Sequence, residues 1–171
     1  MIRIDVGSLP EGPSHLDIEE DASELEIDAP GARFASPVAV ALDLTRNGDE
    51  IFASGEVAAS VVFECSRCLE ECECKVRGQL DLILLVGQGK RGEDQVQSES
   101  LLRVPAGQKY ADITDAVRSE VLLRFPLKPL CRDDCKGLCP ECGANLNVKQ
   151  CSCRAVGHDT RWDALKRFKQ R

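Results

Sequence analysis

Between Pro126 and Cys153 the chain reads PLKPLCRDDCKGLCPECGANLNVKQCSC, with cysteines at 131, 135, 139, 142, 151 and 153. Upstream, VVFECSRCLEECEC (61–74) adds Cys65, Cys68, Cys72 and Cys74, which completes the chain's 10 cysteines. This density points to a disulfide framework, a metal site or a redox device. How the sulfurs pair governs how the remaining residues are laid out.

Compartment separates these possibilities. The opening MIRIDVGSLPEG has neither an apolar core nor a small-residue cleavage site, so no secretory signal is expected. The runs VAASVVF and LILLV are far shorter than the ~20 apolar residues a membrane helix needs. The expectation is a cytoplasmic protein with no membrane partner. In a reducing compartment structural disulfides are rare, and thiolate ligation of zinc is the better reading of paired cysteines.

The 171 residues suit a single compact unit with a small appended module. Aromatic residues make up only 4%, so aliphatic side chains must fill the core. The net charge is −7 and unevenly spread: residues 1–63 carry −10, residues 64–153 carry −1 and residues 154–171 carry +4. Generic RNA affinity comes from lysines and arginines neutralising phosphates, and this balance argues against it for the chain as a whole. The base-free acidic stretch from Asp17 to Asp28 reads as a solvated face or solvent-side strands, with contact to a basic partner as the functional alternative.

MIRIDV alternates and reads as a strand, followed by a loop over GSLPEGPS. Val38, Val40, Leu42 and Leu44 alternate in a strand over 37–46, and 51–64 is rich in Val, Ala and Phe. Between them stands Asn47-Gly48-Asp49, a strong hairpin signal. A third strand is expected over 74–86, a surface loop over 87–100 and a short strand over 101–104. Residues 112–125 form the convincing helix, with Asp112 as cap, Ile113, Ala116, Val117 and Val121 at helical spacing, and Pro126 and Pro129 as its stop. A short basic helix is expected over RWDALKRFKQR at the end. The expected class is α+β: an antiparallel meander or open barrel with one helix (1–125) and a C-terminal zinc-knuckle module (126–171).

Two CxxC turns stand out, Cys65-Ser66-Arg67-Cys68 and Cys139-Pro140-Glu141-Cys142. Two intervening residues let both sulfurs converge on one ion, and Gly143 can adopt the positive φ such a turn requires. Cys151 and Cys153 would point to opposite faces of an extended strand, so they share an ion only if the backbone turns there. Cys131 and Cys135 are four apart, yet Gly137 and Pro140 prevent a continuous helix. The preferred arrangement has two sites. Cys139, Cys142, Cys151 and Cys153 form a local one; Cys65, Cys68, Cys131 and Cys135 form a long-range one that staples the sheet to the module. The alternative is one zinc in the C-terminal cluster, with Cys65 and Cys68 as unligated thiols. Cys72 and Cys74 fall outside both sites.

The segments CSRCLE, DAVRSEVLLRFPLKPLC, CKGLCPECGANLN, CSC and TRWDALKRF, in that order, resemble the large ribosomal RNA subunit accumulation protein family (YceD-like) over roughly residues 40–170. The resemblance implies a role in accumulation of large-subunit ribosomal RNA. Its expected form is a non-enzymatic assembly factor that binds pre-ribosomal RNA or a basic large-subunit ribosomal protein, with no small-molecule substrate. Local RNA or partner contact would then fall to Arg161, Lys166, Arg167, Lys169 and Arg171. A competing reading is thiol–disulfide chemistry at Cys65 and Cys68, but a redox CxxC usually opens a helix, and this one follows a strand. A zinc hydrolase wants histidine or carboxylate helpers, and His15 and His158 lie in no such motif.

Overall fold

The structure is a computed structural model that describes residues 1–27, 31–87 and 100–153. The expected loop over 87–100 and the basic helix over 161–171 lie almost wholly outside the described residues.

The alternating segments become strands as their period requires. In chain order they are β1 (Arg3–Asp5), β2 (Gly12–Glu20), β3 (Ala32–Phe34), β4 (Val38–Asn47), β5 (Glu50–Glu64), β6 (Glu71–Val86), β7 (Leu101–Val104) and β8 (Tyr110–Asp112), followed by the helix α1 (Thr114–Leu123). β4, β5 and β6 form an antiparallel meander. β2 adds antiparallel to β4, β7 adds parallel to β6, and β3 pairs with the far end of β5. The sheet stays open and does not close into a barrel. β1 and β8 make a separate two-stranded ribbon.

Register follows from burial. Val38, Val40, Leu42 and Leu44 of β4 face the same side as Ile51, Ala53, Val57 and Val61 of β5 and Leu80, Leu82 and Leu84 of β6. A slip of one residue would turn all of them to water. α1 lays Val117 and Val121 across β5 and β6, and β1 adds Ile2 and Ile4 to the same core. Each such side chain contributes roughly 1.5–3 kcal/mol on burial. The ribbon is tied to the helix start: the Ile2 N–H donates to Thr114 Oγ1 at 2.9 Å, and the Ile113 N–H donates to the Ile2 carbonyl at 3.0 Å.

Three expectations need adjusting. The loop over 7–14 ends earlier, because β2 begins at Gly12 and pairs with β4 through Glu20. The acidic residues from Asp17 to Glu20 therefore sit on an edge strand. The helix begins at Thr114, not at Asp112, which closes β8. From there Asp112 still serves the helix start, accepting the Thr114 N–H at 3.0 Å and its hydroxyl at 2.6 Å. The hairpin turn is Gly48-Asp49, with Gly48 at φ +61° and Asn47 still paired in β4.

Phe125 decides where the chain goes after the helix. Its ring packs 5.1 Å from Phe63, edge to face, and 6.2 Å from Phe34. This pins the helix exit to the end of the sheet where β5 turns into β6, so residues 126–135 pass over the first CxxC turn.

Candidate metal centres

The first CxxC occupies the β5–β6 connection. The Cys65 N–H donates to the Glu70 carbonyl at 2.8 Å and the Leu69 N–H to the Cys65 carbonyl at 2.9 Å, closing a tight turn with Leu69 at φ +61°. The incoming chain docks on this turn by backbone bonds. Ser66 N–H donates to the Pro129 carbonyl at 2.9 Å, and Leu138 N–H donates to the Arg67 carbonyl at 3.0 Å. The Arg67 guanidinium reaches back to the carbonyls of Cys135 at 2.8 Å and Asp133 at 3.3 Å.

These contacts gather four sulfurs. Cys65 and Cys135 lie 3.8 Å apart, Cys68 and Cys131 lie 3.6 Å apart, and all four Sγ atoms fall within 4.8 Å of one another. Cys65, Cys68 and Cys135 are buried. The Sγ atoms of Cys139, Cys142, Cys151 and Cys153 form a second group within the same limit. Both groups are the preferred pairing read from the sequence. Cys151 and Cys153 converge because residues 151–153 are not in a strand. In the second knuckle the Gly143 N–H donates to the Cys139 carbonyl at 2.9 Å, with Gly143 at φ +69°.

The two knuckles share one short polar segment. Asn147 Nδ2 donates to Cys135 Sγ at 3.3 Å, while its Oδ1 accepts from the Lys136 N–H at 2.8 Å and from Arg132 Nη2 at 2.7 Å. Asn145 Nδ2 donates to Glu70 Oε1 at 2.8 Å, and its Oδ1 accepts the Asn147 N–H at 2.9 Å. Leu138 and Asn145 form an antiparallel bridge between the clusters. The asparagines escaped the sequence reading. Their signal is two amide side chains in NLN between two cysteine pairs.

The donor sets suit a metal ion. Four thiolates at about 2.3 Å around a tetrahedral ion would lie about 3.8 Å apart, close to the separations seen. A disulfide would need about 2.05 Å, and none of the cysteines is in one. The proton affinities are split in each cluster. The Cys131 backbone N–H, donating to the Cys65 sulfur, lowers that thiol to about 6. Cys131 is pushed up to about 12 by desolvation and by the sulfurs of Cys135, Cys68 and Cys65. Cys139 is lowered to about 7 by the N–H groups of Cys142 and Glu141, and Cys153 is pushed up to about 12, first by the Cys142 sulfur. Packed thiols resist losing every proton because the anions repel, and a central dication removes that resistance.

Other sequence-predicted residues are placed less completely. Arg67 and Arg132 bond to carbonyls and to Asn147, with Arg132 also 3.4 Å from Asp134. Arg161, Lys166, Arg167, Lys169 and Arg171 lie outside the described residues. Cys72 packs beside the first cluster and against the core, Cys74 against the core alone, and neither joins a four-sulfur group.

The fold and site define an open-sheet protein that carries two four-cysteine clusters of metal-binding type. The family model for large ribosomal RNA subunit accumulation protein YceD matches residues 53–169. The chain belongs to this family. It is 27% identical over 153 residues to the chloroplastic large ribosomal RNA subunit accumulation protein YCED homolog 1 of Zea mays, covering 75% of this chain and 52% of that one. The Arabidopsis thaliana homolog 1 is 27% identical over 158 residues, 79% of this chain and 49% of that one. An uncharacterised protein of Mycobacterium tuberculosis is 32% identical over 117 residues, 67% of this chain and 54% of that one. The chain thus spans about half the length of the curated relatives it matches. No solved structure matches it. Among the described residues, no helix is long and apolar enough to cross a membrane.

Proposed function

We propose that the chain is a non-enzymatic docking factor in large ribosomal subunit biogenesis, built on two structural zinc ions and working in the cytoplasm. Cys65, Cys68, Cys131 and Cys135 would hold one ion; Cys139, Cys142, Cys151 and Cys153 would hold the other. The carrying observation is the convergence of eight sulfurs into two four-thiol groups, in a chain whose plant relatives are named for ribosomal RNA accumulation. Four thiolates fill a tetrahedral ion and leave no open position for water or substrate, as in structural sites. Zinc, when bound, would supply the cross-link that a module with few apolar residues lacks.

In this reading the body (1–125) and the module (126–171) are separate units joined by the first ion, since Cys65 and Cys68 come from the sheet and Cys131 and Cys135 from the module. Pre-ribosomal RNA or a basic large-subunit ribosomal protein is the partner class. Contact would run through Arg161, Lys166, Arg167, Lys169 and Arg171 for RNA, or through the acidic body for a basic protein. The redox alternative is disfavoured because Cys65 and Cys68 lie buried in a strand-to-strand turn and not at a helix start.

The test is affinity purification of the tagged full-length chain from growing cells, with metal analysis of the same sample. Two zinc ions per chain and co-purifying large-subunit precursors are the expected outcome, with the precursors lost on Cys139→Ser. Metal-free protein, or protein that brings down no ribosomal component, overturns the proposal.

A further inference from the structure

The described strands leave one long stretch of sheet edge uncovered. β6 pairs with β5 along its whole length, but β7 pairs only with Ile83–Val86. From Glu71 to Leu82 the other side of β6 has no strand partner among the described residues. The Ile83 N–H points to that side, because it donates to the Ser100 carbonyl at 2.8 Å. Backbone groups alternate direction along a strand, so Gln79 and Asp81 turn their N–H and C=O groups the same way.

A groove of about 380 Å³ runs along this edge between β6 and α1. Leu80, Leu102 and Leu123 give it apolar walls, and Asp115 and Glu120 give it carboxylates from α1. No basic residue is among the described residues that line it. Asp81, between the buried Leu80 and Leu82, presents its carboxylate on the opposite face of β6, where it accepts the Ser54 hydroxyl at 2.6 Å. Asp115 and Glu120 pair with Arg118 and Arg124 one turn along the helix. An exposed pair such as Asp115–Arg118 is worth only about 0.3–0.5 kcal/mol and is readily shared with a second cation. One end is closed where Glu120 crosses Gly78, whose added Cβ would clash with the carboxylate.

We propose that this edge binds an extended basic peptide as an added strand, its backbone pairing with Gln79 and Asp81, its side chains on one face meeting the leucine wall and the α1 carboxylates and those on the other meeting Asp81. An edge without a strand partner among the described residues supplies backbone hydrogen bonds, and the groove beside it supplies side-chain selection. The four residues from Gln79 to Leu82 span roughly 13 Å, room for about four peptide residues. The inference rests on the docking-factor reading and narrows its partner to a lysine-rich or arginine-rich extended segment of a protein.

The test uses the full-length, zinc-loaded chain and a fluorescent peptide of alternating lysine and valine, followed by anisotropy. Controls are the alternating glutamate–valine peptide and a lysine–valine peptide interrupted by prolines, which lack the donor a strand needs. The basic peptide should bind, both controls should bind at least about tenfold more weakly, and Ser119→Trp, which fills the groove from an exposed position on α1, should cost about tenfold. Hydrogen exchange should slow at Gln79 and Asp81 when the peptide binds. Equal binding of the proline peptide, indifference to Ser119→Trp, or displacement by oligouridylate overturns strand addition. If the peptide binds this way but cells yield no ribosomal component, the edge site stands and the docking-factor reading falls. If ribosomal components come down equally well with Ser119→Trp, the edge site is not what recruits them.

Discussion

The Arg67 carbonyl accepts the Leu138 N–H at 3.0 Å, and it stands 2.9 Å from where a Cβ on the neighbouring Gly137 would lie. Gly137 also holds φ +75°. At this contact the sheet turn and the module meet backbone to backbone, with no room for a methyl group. Gly137→Ala should therefore combine a left-handed strain of about 1–3 kcal/mol with a displaced carbonyl. The expected result is a lower melting temperature and faster loss of metal from the first cluster, both read on the metal-loaded protein. A melting temperature unchanged from wild type would mean that the two parts do not depend on this contact.

Each cluster should carry its own ion. Cys135→Ser removes a buried thiol from the first cluster, and Cys142→Ser an exposed one from the second. Either change should lower zinc from two to one per chain by elemental analysis. Ligation of this kind is worth roughly 10–16 kcal/mol and is coupled to folding. A strong chelator should therefore unfold residues 126–153 before the sheet, whose buried core contains none of the eight clustered cysteines. Hydrogen exchange after chelation would show the order, and simultaneous loss of both regions would contradict it.

Asn147 tunes the first cluster from outside it. Its Nδ2 donates to the Cys135 sulfur and its Oδ1 takes the Lys136 N–H and Arg132. Outer contacts of this type typically change metal affinity by about 10–100-fold. Asn147→Ala should fall in that range. Asn147→Asp should do worse, because a carboxylate replaces the donor and repels the thiolates. Competition with a zinc indicator measures both, and equal affinity for wild type and Asn147→Asp would remove this role.

How far these features could be read beforehand depends on their range. The β4–β5–β6 meander was legible because residues 38–44 and those after Ile51 alternate on either side of an Asn-Gly pair, a purely local pattern. β3 and β8 were not: three-residue strands exist only because Val61–Phe63 and Arg3–Asp5 lie opposite them. The start of β2 hid behind Gly12 and Pro13, which look like loop until nine residues of pairing with β4 outweigh them. Of the eight converging cysteines, Cys65 with Cys68 and Cys139 with Cys142 were legible as CxxC pairs; the grouping into two fours was the preferred reading beside a single-zinc alternative. The convergence of Cys151 with Cys153, and the amide bridge of Asn145 and Asn147, depend on a backbone path that no periodicity encodes.

His15 gives a pH signature of opposite sign to that of the cysteines. Its ring lies on the acidic edge, with Nδ1 2.7 Å from Asp43 Oδ1 and Nε2 3.1 Å from Asp17 Oδ1. The hydrogen bond to Asp43, then the charge of Asp17, raises its pKa above the ordinary 6.5. A raised folded value means that the protonated ring favours the folded state. That contribution is full below the unfolded pKa and is lost as pH rises through the folded one. Cysteine ligation runs the other way, since protons compete with metal as pH falls. NMR titration separates the two, because His15 and His158 are the chain's only histidines. His15 should titrate above its value in the unfolded chain, and Asp43→Asn should bring it down while leaving zinc content at two. If His15 titrates alike in wild type and Asp43→Asn, the pair does not form in solution.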